Sequence, residues 1–362
     1  MRLITFPGQG KPVAVPVLQE LISSKSKQFQ KIVSADPTTE KLLSYITENP
    51  SSPGSIAVCS NIFYRLFEAL CDEQSTGSPS TRATPHILLG HSLGELTCLS
   101  VNKLFRPTDL LNIANYRNDL MIKYTEEYCK THKFSSKFEM HAVTSPSSSP
   151  TTLSTVLTNL VDSLKPTAPT LNIANINSSK QCVITAQPND IDKLKTKINS
   201  LPNNGGRLRI TKLSNPYGIP FHNNEILKPV QEPLYDYIWD TLRENNTHTK
   251  LKLDYPIISN LDGTLTSEVH TAIEKFVQCT SNTVQFTKCC DTVCHHVIAE
   301  TDPIGRNTSD EGSVGSSDSI AVCMGPGEVI YGLLKRNCKV MKCYPYSSLD
   351  SVNKFHQQFQ TI

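Results

Sequence analysis

An apolar run, Ile87-Leu88-Leu89, enters Gly90-His91-Ser92-Leu93-Gly94, and Glu95-Leu96-Thr97-Cys98-Leu99 leaves it. A G-x-S-x-G pentapeptide in that setting implies a strand, a tight turn and a helix, the layout of a nucleophile elbow. The flanking glycines let the backbone turn sharply, so that the Ser92 hydroxyl stands above a sheet and the next N–H faces a reacting carbonyl oxygen. Ser92 is therefore the candidate covalent nucleophile, and the fold must contain a buried sheet with helices at its strand ends.

Other short apolar segments at residues 2–6, 86–89, 256–260 and 319–324 alternate with helical patterns, which predicts a mostly parallel sheet covered on both faces. Between them lies a different pattern. Residues 138–143 read as a strand, and Leu153, Val156, Leu157, Leu160, Val161 and Leu164 form a helical stripe. Strands at 171–175 and 181–185 follow around Asn177-Ser178-Ser179, then a helix through Ile191, Leu194 and Ile198, and a strand at 207–213. The order βαββαβ is that of a ferredoxin-like subdomain. The chain thus divides into a discontinuous α/β-hydrolase-like catalytic domain, 1–136 with 214–362, and an inserted ferredoxin-like subdomain, 137–213. Three Ser/Gly/Pro-rich stretches, 73–84, 144–152 and 301–319, read as exposed loops.

Thirty-five basic and 33 acidic residues leave a formal charge of +2, which argues against nucleic acid or a membrane surface as the main partner. No apolar stretch reaches the length of about 20 residues that a spanning helix needs, and the first residues are too few for a signal-peptide core. The expectation is a chain neither secreted nor membrane-spanning. Its 12 cysteines then read as free thiols. The run Cys289-Cys290-Asp291-Thr292-Val293-Cys294-His295-His296 lacks a second ligand pair and reads as a helix end rather than a metal centre.

Phe6-Pro7-Gly8-Gln9-Gly10 follows the first strand, where ligand loops of α/β sheets lie. The N–H groups of Gln9 and Leu93 together would make a two-donor oxyanion hole. Arg117 falls on the stripe Leu110, Ala114, Arg117, Met121, otherwise the apolar face of its helix. A buried guanidinium needs an anion, either a structural carboxylate or a substrate carboxylate held by two parallel N–H donors. His222, in Pro220-Phe221-His222-Asn223, is the candidate base, whereas His91 is expected to point away from the elbow. Asp109, Asp119, Asp162, Asp190 and Asp192 lie between serine and histidine in chain order, but none follows a strand end of the main sheet. A Ser-His dyad oriented by a backbone carbonyl is the preferred arrangement.

Phe6 to Gly10, Gly90 to Glu95, Arg117 with Met121, Pro220-Phe221-His222, Val284-Gln285-Phe286 and Gly325-Pro326-Gly327 occur here in one order, and this set resembles the malonyl-CoA:acyl carrier protein transacylases. Residues 49–58 and 232–239 look most like the discrete fungal mitochondrial members of that family. The resemblance implies that Ser92 is malonylated, that His222 acts as base and then acid, and that Gln9 and Leu93 form the oxyanion hole. It also implies that Arg117 holds the malonyl carboxylate, that Gln285 orients His222 through its backbone carbonyl, and that Phe221 adds bulk favouring malonyl over methylmalonyl. Ser52-Pro53 and Cys323 depart from the Gln-Pro and Glu common in bacterial members.

Malonyl-CoA and acyl carrier protein are the implied partners, with no cofactor, no metal and a monomeric enzyme. An acidic carrier would meet Lys180, Lys335 and Arg336. No Arg-rich presequence precedes the first strand, so a mitochondrial location follows from the resemblance alone. A serine hydrolase and a non-catalytic carrier-binding module are the alternatives. Arg117 speaks against the first, since a neutral ester needs no such clamp, and the joint presence of Ser92, His222, Arg117 and Gln9 against the second.

Overall fold

The computed structural model describes residues 2–74, 86–134, 137–146, 152–201, 208–301, 319–339 and 341–359. Among the described residues ten strands form two sheets: β1 (Arg2–Phe6), β2 (His86–Gly90), β3 (Glu139–Thr144), β4 (Asn172–Ser178), β5 (Gln181–Ala186), β6 (Arg209–Leu213), β7 (Lys252–Ile258), β8 (Leu265–Glu268), β9 (Ile320–Met324) and β10 (Lys342–Tyr346). The larger sheet has the order β10-β9-β1-β2-β7-β8, and β8 alone runs antiparallel. Its central strands β1, β2 and β9 are mostly apolar and buried because both faces are covered. Ile4, Phe6, Leu88 and Val322 enter one core, while Leu3, Leu89, Ala321 and Cys323 enter the other.

The smaller sheet, β4-β5-β3-β6, is antiparallel, and the elements run β3, helix Leu153–Leu164, β4, β5, helix Pro188–Asn199, β6. The helices bury Leu153, Leu157, Leu160, Ile191, Leu194 and Ile198 against Val143, Cys182 and Ile184. A parallel bridge stitches β4 to the segment that precedes the helix Phe286–Thr301. Ile176 N–H donates to Val284 O (2.9 Å), and Val284 N–H donates to Ala174 O (2.9 Å).

Several sequence expectations shift. The strand expected at 256–260 spans Lys252–Ile258, because residue 256 is a proline that interrupts the ladder and Asn260 serves the elbow instead. The turn expected at 177–179 begins later, since Asn177 and Ser178 complete β4. β8 and β10 were not expected. They are edge strands, β8 only four residues long and β10 carrying Pro345 and half-buried positions. The cysteine run lies inside the helix Phe286–Thr301 rather than at its end, with Cys289 and Cys290 in the core. Of the three stretches expected as loops, residues 75–84, 147–151 and 302–318 lie outside the described residues. Among the described residues no helix is long and apolar enough to cross a membrane.

Candidate active site

β2 ends at Gly90, and Ser92 is the N-cap of the helix Leu93–Val101 with φ 50° and ψ −106°. The strained backbone belongs to the serine itself. Gly90 and Gly94 serve close approach instead: a Cβ on Gly90 would lie 2.0 Å from Glu95 N, and one on Gly94 would lie 2.2 Å from Phe6 O. The turn is pinned to β1 by His91 N–H donating to Phe6 O (3.0 Å).

A residue not singled out from sequence holds the elbow. Asn260, fully buried just past β7, accepts from Ser92 N–H through Oδ1 (2.7 Å) and donates through Nδ2 to Gly90 O (2.7 Å). Its own N–H donates to Glu95 Oε2 (3.4 Å). Burial pushes the Glu95 carboxyl up to about 8. The only sequence signal for Asn260 is a polar side chain closing an apolar strand.

His222 meets the serine from the other side, with Nε2 2.9 Å from Ser92 Oγ. Its Nδ1 lies 2.7 Å from Cys279 O and 3.0 Å from Asn282 O. Carbonyls only accept, so Nδ1 carries the proton and Nε2 is free to accept one from the serine. Burial, followed by the charge of Arg117, holds this imidazole down to about 3, so it is neutral at physiological pH. His222 is also at positive φ, 61°, and its carbonyl accepts from Asn172 Nδ2 of β4 (3.1 Å). The assignment of Gln285 to the orienting role is corrected. Its carbonyl accepts Cys289 N–H (3.1 Å) in the first turn of the helix Phe286–Thr301, and its N–H donates to Asn260 O (2.8 Å). Of the acids considered, Asp109 is engaged by Arg106 and Asn245, and Asp190 by Thr170 and Lys193.

Arg117 is 1% exposed in the helix Pro107–Thr131. Its Nε donates to Thr280 Oγ1 (3.1 Å), and its guanidinium carbon lies 5.8 Å from the Phe276 ring centroid. Among the described residues no carboxylate lies within 4 Å of it, and the buried Glu95, beyond hydrogen-bonding distance, favours its charged form. Burial lowers it to about 10, which leaves it charged at neutral pH. Met121, fully buried, follows one turn later, and Phe221 is half-buried against the larger core.

The loop after β1 packs on the elbow, where a Cβ on Gly8 would lie 2.6 Å from His91 O. Gln9 Nε2 donates to Asn118 Oδ1 (3.1 Å), next to Arg117 on the same helix. The Leu93 N–H is an orphan donor of its helix's first turn. His91 Nε2 lies 3.0 Å from Asn177 Oδ1, engaged with β4 rather than the serine. Cys323 is buried in β9, its thiol pushed up to about 12, and Ser52 Oγ accepts Ser55 N–H at the start of the helix Pro53–Gln74. A groove of about 960 Å³ lined by Tyr124, Glu225, Lys228, Tyr235 and Gln278 includes none of Ser92, His222 and Arg117, so chemistry rather than cavity size locates the site.

No family model matches the chain. The malonyl CoA-acyl carrier protein transacylase, mitochondrial, of Saccharomyces cerevisiae is 44% identical over 376 residues, covering 99% of this chain and 98% of the yeast protein. Among solved structures, FabD from Acinetobacter baumannii superposes with a TM-score of 0.70 at 20% identity, covering 99% of this chain and 98% of its own. The malonyl-CoA:acyl carrier protein transacylase of Helicobacter pylori gives 0.67 at 20% identity, covering 100% and 98%. A malonyl-transacylase in complex with its type II PKS acyl-carrier protein gives 0.68 at 16% identity, covering 99% of each chain. These structures share the α/β fold with its mostly parallel sheet.

Proposed function

The chain belongs to the malonyl-CoA:acyl carrier protein transacylases, and from that premise we infer that it moves a malonyl group from CoA to the phosphopantetheine thiol of acyl carrier protein through a malonyl-serine. One observation carries the choice of acyl group. Arg117 is a buried, charged guanidinium with no carboxylate within 4 Å among the described residues, and it sits close enough to His222 to depress its basicity. A substrate carboxylate is the anion that such a group calls for.

In the first half-reaction His222 Nε2 takes the proton of Ser92 Oγ as the oxygen attacks the thioester carbonyl. The N–H groups of Gln9 and Leu93 receive the oxyanion. The carbon–sulfur bond then breaks, and the leaving CoA sulfur takes the proton from His222. The second half-reaction reverses these steps with the carrier's thiol as nucleophile. The carbonyls of Cys279 and Asn282 stabilise the imidazolium that forms between them, the part a carboxylate plays in a triad. No cofactor enters this scheme.

We read the larger unit, 1–136 with 214–362, as α/β-hydrolase-like and 137–213 as ferredoxin-like, consistent with the element order and the strand order β4-β5-β3-β6. The exposed Lys180, Lys335 and Arg336 are suited to an acidic carrier, since Asn337 Nδ2 donates to Asn177 O (2.8 Å) and brings the two segments together. The protein acts as a monomer in mitochondrial fatty-acid synthesis, a location supported by the yeast relative's name. Intact mass spectrometry after brief exposure to malonyl-CoA tests the chemistry. The wild type gains one malonyl adduct and Ser92→Ala gains none, and an adduct that persists in the variant removes Ser92 from the mechanism.

A further inference from the structure

We infer that Thr280 is a positioning residue that sets acyl-group selectivity by fixing the plane of the Arg117 guanidinium. The inference rests on the reading of Arg117 as the carboxylate clamp. Thr280 is 1% exposed, and its Oγ1 accepts the Arg117 Nε–H at 3.1 Å while lying 3.4 Å from Phe276 O one turn earlier. The Phe276 ring, 5.8 Å from the guanidinium carbon, lies on the helix Val269–Cys279 that Thr280 caps. The hydroxyl and the ring together restrict rotation about the last bonds of a long side chain.

The use of Nε has a geometric consequence. Arginine grips a carboxylate either side-on, through Nε and one terminal nitrogen, or end-on, through both terminal nitrogens. With Nε committed to Thr280, the end-on pair is what meets the substrate. The adjacent residues tie this to the base, because the carbonyls of Cys279 and Asn282 hold His222 Nδ1. Ser281 Oγ accepts from Gln231 Nε2 (2.6 Å), and Asn282 Oδ1 accepts from Asn224 Nδ2 (2.9 Å), so the turn that carries Thr280 is anchored on both sides. One short turn thereby fixes both the clamp and the base.

The test compares acylation of Ser92 by malonyl-CoA and by acetyl-CoA in wild type, Thr280→Val, Thr280→Ser and Arg117→Ala. Losing a hydrogen bond to a charged group corresponds to about 10- to 100-fold. Thr280→Val should lower the malonyl-to-acetyl ratio of kcat/KM by that factor, through a raised KM for malonyl-CoA, and Thr280→Ser should restore it. Arg117→Ala should lower the ratio by about 30-fold or more. If Arg117→Ala loses selectivity and Thr280→Val keeps it, the Thr280 inference is wrong and the clamp stands. If Arg117→Ala keeps the ratio, the clamp reading fails and the inference falls with it. Should Thr280→Val not fold, Thr280→Ala carries the same comparison.

Discussion

Asn260→Ala probes how the nucleophile is held. The amide makes two hydrogen bonds of 2.7 Å, one from Ser92 N–H and one to Gly90 O, and Asn260 is fully buried. Truncation leaves a backbone donor and a backbone acceptor unsatisfied in the interior, at about 1–3 kcal/mol each, so stability should fall by about 2–6 kcal/mol. The donor belongs to a residue at φ 50°, a conformation that itself costs about 1–3 kcal/mol and persists only under restraint. Once released, Ser92 relaxes away from its 2.9 Å contact with His222, and a displacement of about 1 Å lowers acylation about 100-fold. Urea denaturation gives the first quantity and single-turnover malonyl-adduct formation the second. Asn260→Asp separates the two bonds, because a carboxylate still accepts from Ser92 N–H but cannot donate to Gly90 O. Stability within about 0.5 kcal/mol of wild type together with acylation within about twofold in Asn260→Ala would refute the argument.

His222→Ala, with its circular dichroism spectrum retained, should slow both half-reactions by about 10²–10⁴-fold, and near-normal turnover would assign the base elsewhere. Acylation by wild type should stay flat between pH 8 and 5, because the imidazole is held down to about 3, whereas a rate that titrates near 6.5 would contradict that environment. The same depression sets the sign for stability. The unfolded chain protonates His222 first, so its contribution is present above about 6.5 and is lost as pH falls towards the folded value. Relative to His222→Asn, wild type should therefore lose about 2 kcal/mol between pH 7 and 5, and no relative loss in denaturation titrations would count against it.

Legibility from sequence followed how local each signal was. The elbow was readable because strand, turn and helix are contiguous from Ile87 to Leu99, and the helix Leu153–Leu164 because its stripe repeats over three turns. Arg117 stood out as a charge on an apolar face, and it is buried as that position required. Long-range contacts carried no such mark. Asn260 reaches Ser92 across 168 positions, and nothing in the spacing of either predicts the contact. Gln285 was misassigned because the carbonyls that face His222 belong to the preceding turn, Cys279 and Asn282, while the Gln285 carbonyl caps the first turn of the helix that starts at Phe286. The edge strands β8 and β10 escaped because an edge is only partly buried, and the apolar pattern that marks a central strand is diluted there.

The bridge between β4 and Val284 ties the smaller sheet to His222. Asn172 of β4 grips the His222 carbonyl, Ile173 O accepts Thr283 Oγ1 (2.7 Å), and Ala174 and Ile176 clasp Val284, two residues past a carbonyl that faces the imidazole. Main chain and ring of the histidine are thus both tied to one strand, the first directly and the second through the turn that ends at Val284. The orientation of the imidazole beside Ser92 is therefore held by the smaller sheet as well as by the strands of the larger one.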